Sequence, residues 1–130
     1  MKVLVIGGVA AGTKAAAKIK RQNRSAEVKI LTQSADISYA GCGLPYYVGG
    51  MIESREELIV NTPEKYTGLT GVEVVTRCEV TSVNFQAKTV TALCQGQTWL
   101  ESYDKLVIAT GATPFVPQVE GIRLPGVFTM

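Results

Sequence analysis

Apolar residues along the chain form short continuous runs separated by polar stretches, a pattern typical of buried strands joined by helices and loops. Residues 2–6 (KVLVI) are the first such run, and a Gly/Ala-rich turn follows at residues 7–12. Residues 13–23 predict a helix and residues 27–31 predict a second strand. A strand, a helix and a strand within about thirty residues have the usual size of a βαβ unit.

The second half of the chain is predicted to be rich in strands. They lie at residues 72–76, 79–85, 89–93, 98–103 and 105–109. The middle three alternate between apolar and polar positions, which favours an antiparallel meander, whereas the last reads as a buried strand.

The predicted connections contain short helices and proline-rich loops. Short helices begin near Cys42 and at Pro63, because proline suits the first position of a helix. Pro114 and Pro117 open a loop, and residues 124–130 predict a turn that leads into a strand.

The composition fits a folded chain and removes several kinds of chemistry. With 46% hydrophobic and 18% charged residues, the 130-residue chain is predicted to be one small domain or part of a larger one. It contains no histidine, which excludes Ser-His-Asp catalysis, Cys-His catalysis and His-ligated metal sites within it. A net charge of +2 does not favour nucleic acid, and no apolar run reaches the roughly 18 residues of a membrane span.

The three cysteines, Cys42, Cys78 and Cys94, form no C-x-x-C motif. This disfavours a zinc site or a dithiol motif, and we predict that the chain binds no metal. An odd number of cysteines also fits poorly with the disulfide framework of a secreted protein. We therefore predict a cytoplasmic α/β domain in which cysteine is the available nucleophile.

The glycine-rich turn at residues 7–12 (GGVAAG) follows a strand and opens a helix, the setting in which a helix N-terminus binds a pyrophosphate. Gly7 suits the tight turn and Gly12 suits close helix–strand packing, but Val9 replaces the middle glycine of G-x-G-x-x-G. Thr32 stands at the end of the second strand, where an acidic residue on the ribose is expected. The residues favour a dinucleotide site over a tight turn that binds nothing.

A basic stripe, defined as Lys14, Lys18 and Arg21, lies on one face of the first predicted helix. Three cations in a line suit a ligand with several phosphates. Taken alone, an ordinary solvated helix face is the simpler interpretation.

The cysteine segment, residues 38–47 (SYAGCGLPYY), places Cys42 between two glycines, which allows a bulky substrate or flavin ring to approach it. If Cys42 begins a helix, the helix dipole favours its thiolate. The alternative is a small buried cysteine in a turn, and that alternative describes Cys78 and Cys94 better.

These segments resemble the N-terminal FAD-binding segment of the pyridine nucleotide-disulfide oxidoreductases, and within them the branch of coenzyme A-disulfide reductases, NADH oxidases and persulfide reductases. The matching segments are residues 5–12, 37–47, 62–66, 103–106 and 109–114. The resemblance covers essentially the whole chain, and the cysteine segment is its most specific part. It implies an α/β, Rossmann-like FAD-binding domain with a parallel βαβ core and an antiparallel β-meander, apparently incomplete. Residues 1–112 would be the N-terminal part of that domain, and residues 113–130 a connection toward an NAD(P)H-binding domain.

The resemblance also implies roles for individual residues. Cys42 matches the redox cysteine, which forms a mixed disulfide with coenzyme A or, in oxidase relatives, a sulfenic acid. The positions that match FAD contacts are Gly7, Gly8, Val9, Ala10, Ala11, Gly12, Val80, Thr110, Gly111 and Ala112. Those that match substrate contacts are Lys14, Lys18, Arg21, Ser38 and Gly41. Thr32 replaces the usual glutamate on the FAD ribose, so FAD binds more weakly or Asp36 substitutes.

The function implied is an FAD-dependent, NAD(P)H-linked reduction of coenzyme A disulfide or persulfide by a single redox cysteine, in a homodimeric whole protein without nucleic-acid or membrane partners. The isolated chain is not expected to reduce FAD with NADH. Two alternatives stay open: an NADH oxidase or peroxidase with the same cysteine, and a nucleotide-binding fragment without redox activity.

Overall fold

The computed structural model describes residues 1–128 as a parallel sheet covered by helices on one face and by a β-meander on the other. Along the chain, the elements are β1 (Lys2–Ile6), α1 (Ala10–Gln22), β2 (Glu27–Leu31), β3 (Ile37–Tyr39), α2 (Leu44–Val48), β4 (Ile59–Asn61), α3 (Pro63–Thr70), β5 (Glu73–Val75), β6 (Cys78–Asn84), β7 (Thr89–Cys94), β8 (Gln97–Ser102) and β9 (Lys105–Ile108). Single 3₁₀ turns lie at Gly41–Gly43 and Arg55–Leu58. The predicted Rossmann-like fold class, with a parallel βαβ core and an antiparallel meander, is confirmed.

The parallel sheet has the strand order β5-β2-β1-β9. In β1, Val3 and Val5 pack with Ala16 of α1, whereas Leu4 and Ile6 pack with the meander. Successive side chains of a strand point to opposite faces, and here both faces are covered. This explains why β1 is a continuous apolar run.

The antiparallel meander has the order β6-β7-β8. Val90 and Ala92 of β7 point toward the sheet and are buried against Leu4 and Ile6. The β7–β8 hairpin closes through Gln95 (φ +52°) and Gly96 (φ +83°), the left-handed pair that a tight two-residue hairpin turn requires.

The third helix is fixed by local signals and by one long-range hydrogen bond. The Thr62 hydroxyl accepts a hydrogen bond from the Lys65 backbone N–H at 3.2 Å, and Pro63 occupies the first turn, as predicted. The buried Tyr66 hydroxyl donates to the Thr13 carbonyl of α1. The two helices are therefore held together on the same face of the sheet.

Most predicted boundaries agree with the structure, with three differences. The first helix begins at Ala10 rather than at residue 13, because Ala10 and Ala11 favour helix and Gly12 fits within its first turn. The short strands β3 and β4 were not predicted. The predicted C-terminal turn is present at residues 120–126, but residues 127–128 are not a strand, and residues 129–130 lie outside the described range.

Within residues 1–128, no helix is both long enough and apolar enough to cross a membrane.

Candidate functional site

A cleft of about 610 Å³ opens at the carboxyl ends of β1, β2 and β9, where ligands bind in open α/β sheets. Its volume lies within the usual range for small-molecule sites. It is lined by Ile6, Gly7, Gly8, Val9, Ala10, Ala11, Leu31, Thr32, Gln33, Ser34, Tyr39, Cys78, Glu79, Val80, Ala109, Thr110, Gly111 and Ala112. The structure thus brings the residues predicted to contact FAD to one place, except Gly12, which is buried behind the turn.

The glycine-rich turn passes tightly between its neighbours. Gly7 has φ +106°, and its N–H donates to the Leu31 carbonyl at 2.8 Å. A Cβ on Gly7 would lie 2.1 Å from the Ala109 carbonyl oxygen, and a Cβ on Gly12 would lie 1.9 Å from the Gly7 carbonyl oxygen. Both contacts are impossible for any other residue without backbone movement. The two glycines therefore allow α1 to lie close to the turn and the turn to lie close to the end of β9.

The N-terminus of α1 presents unsatisfied N–H groups to this cleft. Val9 precedes the helix without a side-chain cap, and the first turn contains no acidic residue. The first N–H groups of a helix have no partner within the helix, and the dipole makes this end positive. Because Val9, Ala10 and Ala11 line the cleft, an anion such as a pyrophosphate fits here.

The far wall of the cleft is formed by Thr32 and the start of β6. Thr32 is buried, its N–H donates to the Val75 carbonyl at 3.0 Å, and its own carbonyl accepts from the Cys78 N–H at 3.0 Å. A Cβ on Gly8 would lie 3.1 Å from the Thr32 side chain. The wall therefore carries a small hydroxyl where dinucleotide sites often carry a carboxylate.

Asp36, the alternative partner for the ribose, is paired with Arg55 in this structure. Its side chain accepts a hydrogen bond from the Arg55 guanidinium, and Asp36 is absent from the cleft lining. The acidic residue among those that line the cleft is Glu79, at the start of β6. The sequence offered no signal for Glu79, since its place in the cleft lining depends on how the meander packs against the sheet.

Cys42 is an exposed free cysteine in the 3₁₀ turn at Gly41–Gly43. The predicted helix begins only at Leu44 and has 5 residues, so Cys42 precedes it. A Cβ on Gly43 would lie 2.6 Å from Cδ2 of Leu58, so a larger residue there would displace the Leu58 side chain. Cys42 does not line the cleft.

Backbone hydrogen bonds tie the cysteine segment to the glycine-rich turn. The Ser38 N–H donates to the Gly8 carbonyl at 2.9 Å, and the Ala40 N–H donates to the Leu58 carbonyl at 2.7 Å. Tyr39 lines both the cleft and a second, mainly apolar hollow of about 380 Å³ formed with Leu44 and other residues. The sequence did not point to Tyr39, because its place between the two spaces follows from the β3–β4 pairing.

The residues predicted to contact substrate lie outside the cleft. Lys14, Lys18 and Arg21 are exposed on α1, and none makes an ion pair within residues 1–128. Ser38 is half-buried with φ +50°, and its hydroxyl accepts from the Asn61 amide at 3.4 Å. Gly41 is exposed next to Cys42.

The other two cysteines correct the expectation from sequence. Cys78 and Cys94 were expected to be separate buried cysteines, but a disulfide joins them across β6 and β7, with their Cα atoms 4.0 Å apart. The pairing follows from strand register, which the sequence alone does not fix.

Among residues 1–128, no group of three or more His, Cys, Asp or Glu side chains is placed to hold a metal ion.

Comparison with known proteins gives one consistent result. The family described as pyridine nucleotide-disulphide oxidoreductase matches residues 1–130. An NADH oxidase from Methanocaldococcus jannaschii is 36% identical over 131 residues, which cover 98% of this chain and 29% of that protein. A coenzyme A disulfide reductase from Staphylococcus epidermidis is 36% identical over 114 residues, which cover 86% of this chain and 26% of that protein.

A solved structure supports the same relationship. The NAD-dependent persulfide reductase from A. fulgidus superposes with a TM-score of 0.92 at 38% identity, covering 99% of this chain and 25% of that one. The chain therefore spans between a quarter and a third of the length of these relatives.

Proposed function

Because the chain belongs to the pyridine nucleotide-disulphide oxidoreductase family, we propose that it is the FAD-binding part of a flavoenzyme that reduces coenzyme A disulfide or persulfide with NAD(P)H. Residues 1–112 would belong to the FAD-binding domain, and the segment from residue 113 would lead toward an NAD(P)H-binding domain. The whole protein would be a cytoplasmic homodimer. Relatives named coenzyme A disulfide reductase and persulfide reductase support this choice of substrate.

One observation carries the proposal: a free, exposed cysteine belongs to a segment that is hydrogen-bonded directly to the glycine-rich turn. The bond from Ser38 to Gly8 connects Cys42 with a cleft whose helix N-terminus suits a pyrophosphate. A disulfide substrate at Cys42 and a dinucleotide in the cleft would thus be bound by adjoining parts of the chain.

The cleft residues suit FAD in shape and chemistry. The N–H groups of Val9, Ala10 and Ala11 would hold the pyrophosphate, and the wall at Thr32 and Val80 would hold the adenosine. Gly12 would act from behind by keeping α1 close to the turn. Thr110, Gly111 and Ala112 would line the opposite side. FAD, when bound, would supply the two electrons that reduce a disulfide at Cys42.

Cys42 carries the covalent step in this proposal. Its thiolate would attack one sulfur of coenzyme A disulfide, form a mixed disulfide with that sulfur and release the other half as coenzyme A thiolate. Since Cys42 is exposed and has no partner cysteine, the mixed disulfide would persist until electrons reach it.

The basic stripe of Lys14, Lys18 and Arg21 would bind the phosphates of coenzyme A. Its three cations have no carboxylate partner within residues 1–128 and face solvent, so they are available to an anionic ligand. Ser38 and Gly41 would contact the substrate close to its sulfur. Exposed charge contacts contribute about 0.5 kcal/mol each, so the stripe would change coenzyme A binding roughly tenfold.

The experiment is to expose the reduced chain to coenzyme A disulfide, with glutathione disulfide in parallel, and to locate adducts by intact mass and peptide mapping. We expect a coenzyme A adduct at Cys42, formed faster than the glutathione adduct, and no adduct there in Cys42→Ser. Reversal of Lys14, Lys18 and Arg21 to Glu should slow coenzyme A addition by at least about tenfold, because it removes three attractions and adds three repulsions. It should slow addition of glutathione disulfide, which carries less negative charge, much less.

The matched control reverses three exposed cations outside α1, Lys65, Lys88 and Arg123, and should leave the coenzyme A rate unchanged after allowance for net charge. Equal rates with both reagents in the unmodified chain would mean that Cys42 is only an accessible thiol without selectivity for coenzyme A. The NADH oxidase or a non-redox nucleotide-binding module would then be the better explanation.

A second candidate, an NADH oxidase or peroxidase, uses the same cysteine, and the relative from M. jannaschii named NADH oxidase favours it. In the full-length protein, reversal of the basic stripe separates the two functions. Oxygen or peroxide turnover should survive the reversal, whereas turnover of coenzyme A disulfide should not.

A further inference from the structure

Cys78 and Cys94 face each other at directly opposite positions of β6 and β7, with Cα atoms 4.0 Å apart. The Cys78 N–H donates to the Thr32 carbonyl of the sheet instead of to β7. The neighbouring bond runs from the Gln95 N–H to the Arg77 carbonyl at 3.2 Å. The cysteines therefore occupy a pair without mutual backbone hydrogen bonds, the kind in which opposite side chains come closest.

The two sulfurs belong to different surroundings. Cys78 is 1% exposed and lines the cleft together with Thr32. Cys94 is half-buried and lines a separate hollow of about 340 Å³ with Trp99 and Thr98. A small reagent would reach the pair more easily through Cys94, because Cys78 is almost completely buried although it borders the cleft.

The pair also lies at the junction between the meander and the cleft. The Arg77 N–H donates to the Ser34 carbonyl at 3.1 Å and the Cys78 N–H to the Thr32 carbonyl at 3.0 Å, so this short stretch connects β6 to the end of β2. A covalent link from Cys78 to β7 adds a third connection to the same stretch.

We propose that Cys78 and Cys94 form a reversible thiol–disulfide site, separate from Cys42, which low-molecular-weight disulfides oxidise through Cys94 and which stabilises the cleft wall when closed. The site requires neither bound flavin nor Cys42, so it does not depend on the proposed function.

The chemistry balances as two successive exchanges. The Cys94 thiolate attacks one sulfur of a disulfide RSSR, forms a mixed disulfide and releases RS⁻. The Cys78 thiolate then attacks the Cys94 sulfur and displaces the second RS⁻, so that two protein thiols are oxidised and RSSR is reduced to two RSH. A reducing thiol reverses the sequence by attacking Cys94.

The test uses the full chain carrying Cys42→Ser, so that only this pair can react. After mild reduction, glutathione disulfide should remove both thiols together, without a lasting glutathione adduct. Dithiothreitol should restore both thiols under native conditions, as measured by alkylation and intact mass. A lasting adduct on either cysteine, or a pair that resists dithiothreitol until the chain is unfolded, would overturn the proposal.

Two further variants in the same background test the direction of attack. With Cys78→Ala, Cys94 should hold a stable glutathione adduct. With Cys94→Ala, Cys78 should react at least about tenfold more slowly because it is buried. Circular dichroism is used to check that both variants are folded. Equal rates in two folded variants would contradict entry through Cys94.

The effect on the cleft wall is measured by hydrogen exchange in the Cys42→Ser chain. Reduction should raise exchange at residues 76–80 about tenfold or more, while α3, which the disulfide does not touch, keeps its protection. Exchange at residues 76–80 that is the same in both redox states would refute stabilisation of the wall.

Discussion

The contact between α1 and the glycine-rich turn makes a strong prediction for Gly12→Ala. A Cβ at this position would lie 1.9 Å from the Gly7 carbonyl oxygen and 3.3 Å from a Val5 methyl group. The helix would have to move by about 1 Å from the turn, which costs about 3 kcal/mol at the upper end of overpacking effects. Alanine regains about 1 kcal/mol of helix propensity, which leaves a net loss of about 2 kcal/mol.

The matched control is Gly68→Ala in α3, where an added Cβ would meet nothing within 4 Å and the backbone is helical. This variant should gain about 1 kcal/mol from helix propensity alone. For a chain of this size we expect Gly12→Ala to melt about 8 °C lower and Gly68→Ala about 4 °C higher, followed by circular dichroism at 222 nm. If Gly12→Ala melts at or above the unmodified chain, the close approach of α1 to the turn is wrong.

Three further predictions concern stability. Burial raises the pKa of Glu101, but hydrogen bonds and charges from Lys29 (2.8 Å) and Lys2 (3.2 Å) outweigh burial and lower that pKa below its usual value. The resulting stabilisation is present above about pH 4.3 and disappears as pH falls through the lower folded-state pKa. Glu101→Gln should therefore make the free energy of urea unfolding fall less steeply as the pH is lowered below this value. The same pH dependence in both proteins would contradict this. Thr62→Ala should lower the free energy of urea unfolding by about 1 kcal/mol through loss of the cap of α3, and Thr62→Ser should restore most of it. An unchanged free energy of unfolding in the Ala variant would exclude a capping role. Gln95→Asn should raise the free energy by about 0.5 kcal/mol, because Asn tolerates the left-handed backbone before Gly96 better than Gln, and a lower melting temperature would refute this.

The strands of the sheet and the meander could be predicted because each carries its signal locally. In β1 the continuous apolar run indicates that both faces of the strand are buried. In α3 the Thr62-Pro63 pair indicates where the helix begins. The strands β3 and β4 have 3 residues each and no periodicity of their own. They form because Ile37 and Tyr39 pair with Asn61 and Ile59, a tertiary contact that a local pattern cannot contain.

The candidate site was predictable where topology alone brings residues together. The carboxyl ends of parallel strands meet at one edge, so the turn after β1 and Thr110 after β9 had to be neighbours once the strand order was right. The sequence did not indicate that Asp36 lies outside the cleft lining, because that follows from its pairing with Arg55, 19 residues away. The register of β6 against β7 likewise decides that Cys78 meets Cys94.

The chain thus carries two kinds of cysteine that should answer one oxidant differently. Cys42 is exposed and has no second cysteine to displace a bound thiol, so exchange with a small disulfide should stop at a mixed disulfide. At Cys94 the same first step is followed by attack from Cys78, which lies opposite and expels the small thiol. Coenzyme A disulfide added to the fully reduced chain should therefore leave one coenzyme A adduct, at Cys42, and no free thiol. A second adduct would mean that β6 and β7 do not hold their cysteines in register once the disulfide is open.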